Sequence, residues 1–323
     1  MSYLVTGAAG FIGSHVARHL LDRGDRVIGI DNLNTYYDVN LKLARLGLLE
    51  PSDRFTFHRI NVANPVEMQD LFGHHRDIDR IIHLAAQPGV RYSLTEPLAY
   101  IEANIKAKVV LLEAALALPR LRSLVYASSS SVYGANEKQP FRVEDRADNP
   151  ASLYGATKRA GELIVESYCR VHHLSAIGLR FFTVYGPWGR PDMAVYLFTE
   201  AIAAGRPIQV FNDGHMKRDF TYIDDVVEAV IAASALALPP GEHRLYNIGN
   251  NRPEKLLDFI AVLEQAIGRR AIKELLPMQP GDVPSTYANI DPARRDLGFE
   301  PRSPITLGLP RFVDWFRDYH RVP

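Results

Sequence analysis

Short, nearly uninterrupted apolar runs punctuate the first 180 residues, at positions 3–6, 26–30, 55–60, 80–84, 123–127 and 175–180. Runs of that length, bounded by turn residues, read as strands buried on both faces. The stretches between them, 12–23, 65–72, 97–118 and 151–173, place apolar residues three and four apart. That is the period of a helix with one buried side. Gly24-Asp25 stops the first helix, Asn64-Pro65 opens the second and Pro119 closes the third. Regular alternation of strand and helix predicts an α/β fold built on a doubly wound parallel sheet.

After residue 180 the rhythm breaks. Prolines at 187, 191, 207, 239, 240, 253, 277, 280 and 284 cut the chain into short elements. A helix is predicted over 222–233, and a strand over 245–249 that rejoins the main sheet. Two interleaved domains are therefore expected: residues 1–180 with a return around 220–250, and a smaller one made mainly from 181–323.

The first strand runs into Gly7-Ala8-Ala9-Gly10-Phe11-Ile12-Gly13 and then into the first helix. Gly7 suits a tight turn, Gly10 lets the backbone approach a phosphate, and Gly13 lets helix and strand pack closely. The helix N-terminus adds free N–H groups and the positive end of the dipole, an anion site. The G-x-x-G-x-x-G spacing differs from the G-x-G-x-x-G of ordinary dehydrogenases, and glycine triplets alone are weak signals. Asp31 strengthens this one. It closes the second strand, 18 residues beyond Gly13. An acid there accepts from both ribose hydroxyls and repels a 2′-phosphate, so the first domain is predicted to be a Rossmann-type domain binding NAD rather than NADP. Asn61 and Val62, just after the third strand, are placed to meet the adenine.

Tyr154 and Lys158 are four apart and share one helix face. A free phenol is a poor base at neutral pH, but a neighbouring cation favours the phenolate. Tyr154 is then a candidate general base for a substrate hydroxyl, and Lys158 a candidate both to lower its pKa and to hold the nicotinamide ribose. The strand before this helix ends in Ser128-Ser129-Ser130-Ser131. Ligands of open α/β sheets bind beyond the carboxyl ends of the strands, where these hydroxyls lie.

Composition narrows the picture further. Lys plus Arg and Asp plus Glu both number 37. The resulting zero net charge argues against a nucleic-acid or membrane-surface partner. Cys169 is the only cysteine, so no internal disulfide forms and a reducing, cytoplasmic setting is expected. Its helical surroundings mark it as a structural thiol. No apolar stretch approaches the length of a membrane span, and no signal peptide is visible. No Cys/His/carboxylate cluster has zinc-ligand spacing, so no metal is expected; His74-His75 reads as a loop pair.

Together these segments resemble the extended short-chain dehydrogenase/reductases, the NAD-dependent epimerase/dehydratase family of nucleotide-sugar enzymes. The resemblance spans almost the whole chain. It rests on the glycine loop, His83-Leu84-Ala85-Ala86, the serine strand, Tyr154 with Lys158, Leu179-Arg180-Phe181-Phe182, and the segment from Arg218 to Asp225. Three further stretches, 31–38, 87–93 and 180–193, resemble most the branch acting on UDP-glucuronate. The resemblance implies reversible C4 epimerisation of a UDP-uronate through a 4-keto intermediate, with tightly held NAD regenerated each cycle. It implies Tyr154 as base, Ser129 as its hydroxyl partner, and Phe11, Ile12, Asn32, Leu84, Ala85, Ala86 and Asn104 as additional cofactor contacts. For the UDP-sugar it implies Pro88, Arg91, Ser128 to Ser131, Thr183, Arg190, Gln209, Arg218 and Asp282. It also implies a homodimer through the helices at 97–118 and 151–173. One departure stands out: Gln279 replaces an arginine that many relatives carry three residues before Asp282. Alternatives at this level are a UDP-glucuronate decarboxylase, a UDP-galactose 4-epimerase, or a non-catalytic NAD-sensing module. The intact Tyr154/Lys158 pair argues against the last.

Overall fold

A computed structural model of the protein describes residues 1–278 and 283–322. Seven parallel strands form the central sheet. In chain order they are β1 (Ser2–Thr6), β2 (Arg26–Asp31), β3 (Phe55–Arg59), β4 (Arg80–His83), β5 (Ser123–Ser129), β6 (Ala176–Phe181) and β7 (His243–Ile248). Across the sheet they run β7-β6-β5-β4-β1-β2-β3. The order reverses beside β1, which pairs with β2 on one side and β4 on the other, and this switch point opens a crevice at the carboxyl ends. The doubly wound α/β expectation holds. The chain re-enters this sheet late in the sequence, where β7 pairs in register with β6 from His243↔Ala176 to Ile248↔Phe181.

Both faces of the sheet are buried at its centre, which is why the central strands read as apolar runs. In β1, Tyr3 and Val5 enter one apolar cluster while Leu4 enters the other. Helices Pro65–His74, Ala107–Ala115 and Leu153–His172 supply Leu71, Leu111 and Val165 to the second cluster. The first cluster contains Val16 and Leu20 from helix Phe11–Asp22 and Val226 and Val230 from helix Ile223–Ala235, and it continues into the C-terminal part. One continuous core thus joins the interleaved parts.

Two differences from expectation matter for the site. The long helix predicted over 97–118 is divided into Pro97–Tyr100, a wider π-type stretch Ile101–Lys106, and Ala107–Ala115. Such π stretches recur at functional sites, and Asn104 lies within this one. An unpredicted helix, Val39–Gly47, follows β2, with Asp38 as its N-cap accepting from the Asn40 N–H. It carries Lys42 and Arg45 into the interior.

The smaller part contains strands Thr183–Tyr185 and Pro253–Lys255 flanking Lys217–Tyr222, and a separate parallel pair, Pro207–Phe211 with Ile272–Leu276. Helices Ala194–Ala203, Leu256–Ile267 and Ile305–His320 cover them. Asp219 knits this part together, accepting backbone N–H groups from Asn250, Asn251 and Ala288.

Candidate active site

The glycine loop is shaped by its own backbone. Gly7 has φ of +73°, a conformation that favours glycine, and a Cβ there would meet the Ala85 nitrogen at 2.8 Å. A Cβ on Gly13 would lie 2.0 Å from the Gly7 carbonyl oxygen. Gly13 is therefore required by the turn it faces, more than by packing of helix on strand. Helix Phe11–Asp22 has no side-chain cap and no acid in its first turn, so its N–H groups stay available to an anion.

Asp31 ends β2 beside this loop and accepts from the Leu33 N–H at 2.8 Å. Burial raises its carboxyl above the ordinary range; that N–H, Lys42, the Ala9 N–H and Arg45 oppose the rise. Lys42 donates 2.7 Å hydrogen bonds to the Asn34 carbonyl and side-chain oxygens. Arg45 is fully buried and ties three segments together. It donates to the Ala9 carbonyl at 3.0 Å and to the Tyr37 hydroxyl at 2.6 Å. It also reaches the carbonyls of Trp188 at 2.7 Å and Gly189 at 3.3 Å.

The candidate acid–base pair, Tyr154 and Lys158, sits at the start of helix Leu153–His172, where the Ser152 hydroxyl caps the first turn by accepting from the Gly155 N–H. Ser129 faces Tyr154 across the cleft and favours the ionised form of its phenol. The electrostatics differ from the simple lysine–phenol picture. Lys158 Nζ lies 5.8 Å from the Tyr154 ring centre and donates to the Ala127 carbonyl. Burial raises the phenol above its ordinary range; the Ser129 hydroxyl and the Arg190 charge oppose this, and Asp192 partly offsets Arg190. Burial also pulls the Lys158 ammonium down to about 8, helped by Arg190 and opposed by Glu162. Arg190, supplied by a different part of the chain, is thus the cation that acts on the phenol.

The serine row divides its work. Ser128 Oγ donates at 2.6 Å to Glu162, so its hydroxyl proton is already committed. Glu162 also accepts from Arg180 Nε and Nη2, both at 2.8 Å, and from Arg159 at 2.9 Å. Burial alone would raise the Glu162 carboxyl, but Arg180, Ser128 and Arg159 hold it below the usual range. This buried ion pair anchors the floor beneath Ser129. Ser129 Oγ donates to Ser131 Oγ at 3.2 Å.

One cleft of about 440 Å³ connects these groups. Its walls include Gly7, Gly10, Phe11, Ile12, Gly13, Asp31, Asn32, Asn61, Val62, Leu84, Ala85, Ala86, Pro88, the four serines, Tyr154, Lys158, Thr183, Arg190 and Arg218. Several anticipated residues lie elsewhere. Asn104 is buried and holds Gln87 through its N–H and carbonyl, and Thr157 through its hydroxyl. It braces the helix start instead of lining the cleft. Arg91 lies over the Phe211 ring at 4.8 Å, off the cleft wall. Gln209 points outward from strand Pro207–Phe211. Asp282, with Gln279, falls outside the described residues. Cys169 is buried, and burial pushes its thiol up to about 11, opposite to a nucleophile's need.

Sequence reasoning missed Tyr36, Lys42 and Asp192. Arg190 and Asp192 form a two-point ion pair at 2.9 and 2.8 Å, and the Tyr36 hydroxyl donates to Asp192 at 3.0 Å. Tyr36 and Asp192 are 156 positions apart, so no local pattern could reveal their contact.

A glycine-cradled helix end, an acid at a ribose position and a tyrosine–lysine–serine set in one cleft describe a nicotinamide enzyme of the short-chain type. A model of the NAD dependent epimerase/dehydratase family matches residues 3–249. The chain belongs to this family. It is 44% identical over 339 residues to a probable UDP-glucuronate 4-epimerase of Rhizobium meliloti (strain 1021), covering 99% of this chain and 98% of that one. It is 46% identical over 334 residues to UDP-glucuronate 4-epimerase 4 of Arabidopsis thaliana, covering 99% of this chain and 76% of the relative. The crystal structure of UDP-glucuronic acid 4-epimerase from Bacillus cereus, in complex with UDP-glucuronic acid and NAD, superposes with a TM-score of 0.92. The two are 37% identical, over 99% of this chain and 100% of that one.

The residues present fit the family's cofactor. The glycines keep three Cβ atoms out of the phosphate cradle, the first helical turn lacks an acid, and Asp31 stands where a ribose diol would meet it.

Proposed function

We propose that this protein is an NAD-dependent nucleotide-sugar epimerase that interconverts UDP-glucuronate and UDP-galacturonate at C4. One observation carries the reading: a single cleft runs from the glycine loop, past Tyr154, Lys158 and Ser129, to Thr183, Arg190 and Arg218. It joins a dinucleotide site and an acid–base pair to a cationic, hydroxyl-lined end suited to an anionic sugar. The relatives above carry this activity in their names.

Bound NAD supplies a reversible hydride acceptor for the sugar carbon and a positive ring beside the phenol. Tyr154 takes the proton of the C4 hydroxyl and returns it after the keto sugar has turned its other face, so no net redox change results. Ser129 holds the same oxygen and keeps it aimed at the phenol. Lys158 holds ribose hydroxyls. Arg218 neutralises the diphosphate. Ser130, Ser131, Thr183 and Arg190 bind the carboxylate in both presentations of the ring. That grip has a chemical purpose, because the 4-keto uronate is a β-keto acid. It loses CO₂ when its carboxyl bond aligns with the keto π-system, and fixing the carboxylate out of alignment suppresses this loss.

Leu94, Leu98, Ile101 and Leu163 are exposed apolar residues on segments that pack beside one another around helix Leu153–His172. They support a homodimer through these helices. The lone buried thiol suits a reducing cytoplasm. Among the described residues, no helix is long and apolar enough to cross a membrane.

The test is to incubate the purified protein with UDP-glucuronate, without added NAD, and identify products by NMR. UDP-galacturonate is expected. UDP-xylose or unchanged substrate refutes the reading.

A further inference from the structure

The Arg190–Asp192–Tyr36 cluster poses a question that carboxylate binding alone does not answer. Arg190 is the cleft cation best placed for an anionic sugar, yet it already holds a carboxylate. Asp192 takes Arg190 Nε at 2.9 Å and Nη2 at 2.8 Å, in the fork geometry that fixes a guanidinium in orientation. The pair is partly shielded, with side chains 22% and 28% exposed. Asp192 is gripped from its other side by the Tyr36 hydroxyl at 3.0 Å. Tyr36 in turn is wedged in place. Its ring lies 4.7 Å from that of Tyr92, and a Cβ on Gly89 would meet its hydroxyl at 2.7 Å. Three loops from distant parts of the chain therefore converge to hold one acid against the sugar-end cation.

An acid in that place has two physical effects. It aims Arg190, leaving Nη1 for another anion. It also offsets the charge of Arg190, so the sugar end carries an oriented donor with little net positive charge. Burial alone would raise the Asp192 carboxyl, but Arg190 and Tyr36 hold it below the usual range, so it is ionised at neutral pH.

We propose that Asp192, held by Tyr36, is a positioning residue that sets specificity for the charged sugar: it orients Arg190 toward the substrate carboxylate while limiting how tightly that carboxylate is held. The inference rests on the reading of the site as an epimerase of UDP-uronates. It explains how a uronate turns over within the cleft. A carboxylate that must be released and regripped as the keto sugar rotates is poorly served by an uncompensated buried cation, whose hold would raise the barrier to rotation. A neutral hexose has no such group and is indifferent to Asp192.

The discriminating variant is Asp192→Asn, which keeps the shape and one acceptor for Arg190 but removes the charge. For a substrate carboxylate roughly 7 Å from Asp192, an effective dielectric of about 20 and partial exposure give an expected tightening of about tenfold. The dissociation constants of UDP-glucuronate and UDP-glucose are measured by calorimetry on the NAD-loaded Tyr154→Phe protein, with and without Asp192→Asn. Turnover of UDP-glucuronate is measured in the Tyr154 background. The expected result is tighter UDP-glucuronate, unchanged UDP-glucose, and a fall in both KM and kcat for the uronate. Unchanged UDP-glucose binding also reports that the variant is folded. Tyr36→Phe, which keeps the charge and loosens the acid, should move the same quantities by no more than about threefold, in line with loss of one hydrogen bond. If Asp192→Asn weakens UDP-glucuronate, leaves it unchanged, or shifts both ligands equally, the role assigned to Asp192 is wrong while the epimerase reading stands. If the parent protein binds UDP-glucuronate no better than UDP-glucose and does not epimerise it, that reading falls and this proposal falls with it.

Discussion

Replacing Lys158 with methionine should stabilise the cofactor-free protein and destroy its activity. Lys158 is 8% exposed, and its ammonium has been pulled from an ordinary 10.5 down to about 8, chiefly by burial. That difference corresponds to about 3 kcal/mol of cost for keeping the charge in place at neutral pH. Methionine occupies similar volume without charge, but it forfeits the hydrogen bond to the Ala127 carbonyl, worth about 1 kcal/mol. The net expectation is a gain of about 2 kcal/mol. For a chain of 323 residues, an unfolding entropy of about 2.1 cal/mol/K per residue converts this to a rise of about 3 °C in midpoint. The sign against pH follows from linkage. The folded protein binds this proton more weakly than the unfolded chain does, so the Lys158 penalty is complete below about pH 8 and vanishes as pH rises toward 10.5. The variant's advantage should therefore be largest at pH 7 and shrink through that window. Thermal unfolding of cofactor-stripped wild type and Lys158→Met at several pH values is the assay, with epimerase turnover expected to fall at least about 100-fold. A variant less stable than wild type at pH 7, or an advantage that does not change with pH, would refute the assignment of a desolvated, functionally retained cation.

Other substitutions probe separate parts of the site. Gly13→Ala forces a Cβ to within 2.0 Å of the Gly7 carbonyl, so the purified variant should carry little or no NAD, read by absorbance of the cofactor released on denaturation. Glu162→Gln leaves Arg180 buried without its charge partner and should cost about 3–5 kcal/mol in urea unfolding. Because pairing holds the Glu162 carboxyl low, that loss should be present above pH 4.5 and shrink as acid protonates the native partner. Asp31→Ser removes the acid that repels a 2′-phosphate and leaves Lys42 nearby, so the ratio of NADP to NAD affinity should rise at least about tenfold by equilibrium titration.

Much of the catalytic half could be read from the chain because its signals are local. Tyr154 and Lys158 are one helical turn apart, the glycine loop is seven residues long, and the central strands Ser2–Thr6, Arg26–Asp31 and Ser123–Ser129 carry mostly apolar runs. What escaped depends on distance in sequence. Strand Pro207–Phe211 pairs with Ile272–Leu276, more than sixty positions away, and neither run is apolar enough to announce itself. Gln209 was expected at the substrate from the family resemblance alone, but strand alternation turns it outward between Ile208 and Val210, which are both buried. Ser128 looked equivalent to its three neighbours until Glu162, 34 positions on, took its hydroxyl. Lys42 and Arg45 belong to a short helix that buries them beside Leu41 and Leu46, an inversion of the usual amphipathic pattern at those two positions.

Arg45 gives that inversion a thermodynamic meaning. A single guanidinium holds a carbonyl of the cofactor loop and two carbonyls of the segment that leads to Arg190. Coenzyme escape and opening of the sugar pocket then share a rupture event, and by reciprocity whatever factor the sugar nucleotide adds to coenzyme affinity is added in return. A sugar nucleotide that tightens this junction therefore also tightens the hold on the coenzyme, which is how a built-in prosthetic group differs from an exchanging co-substrate.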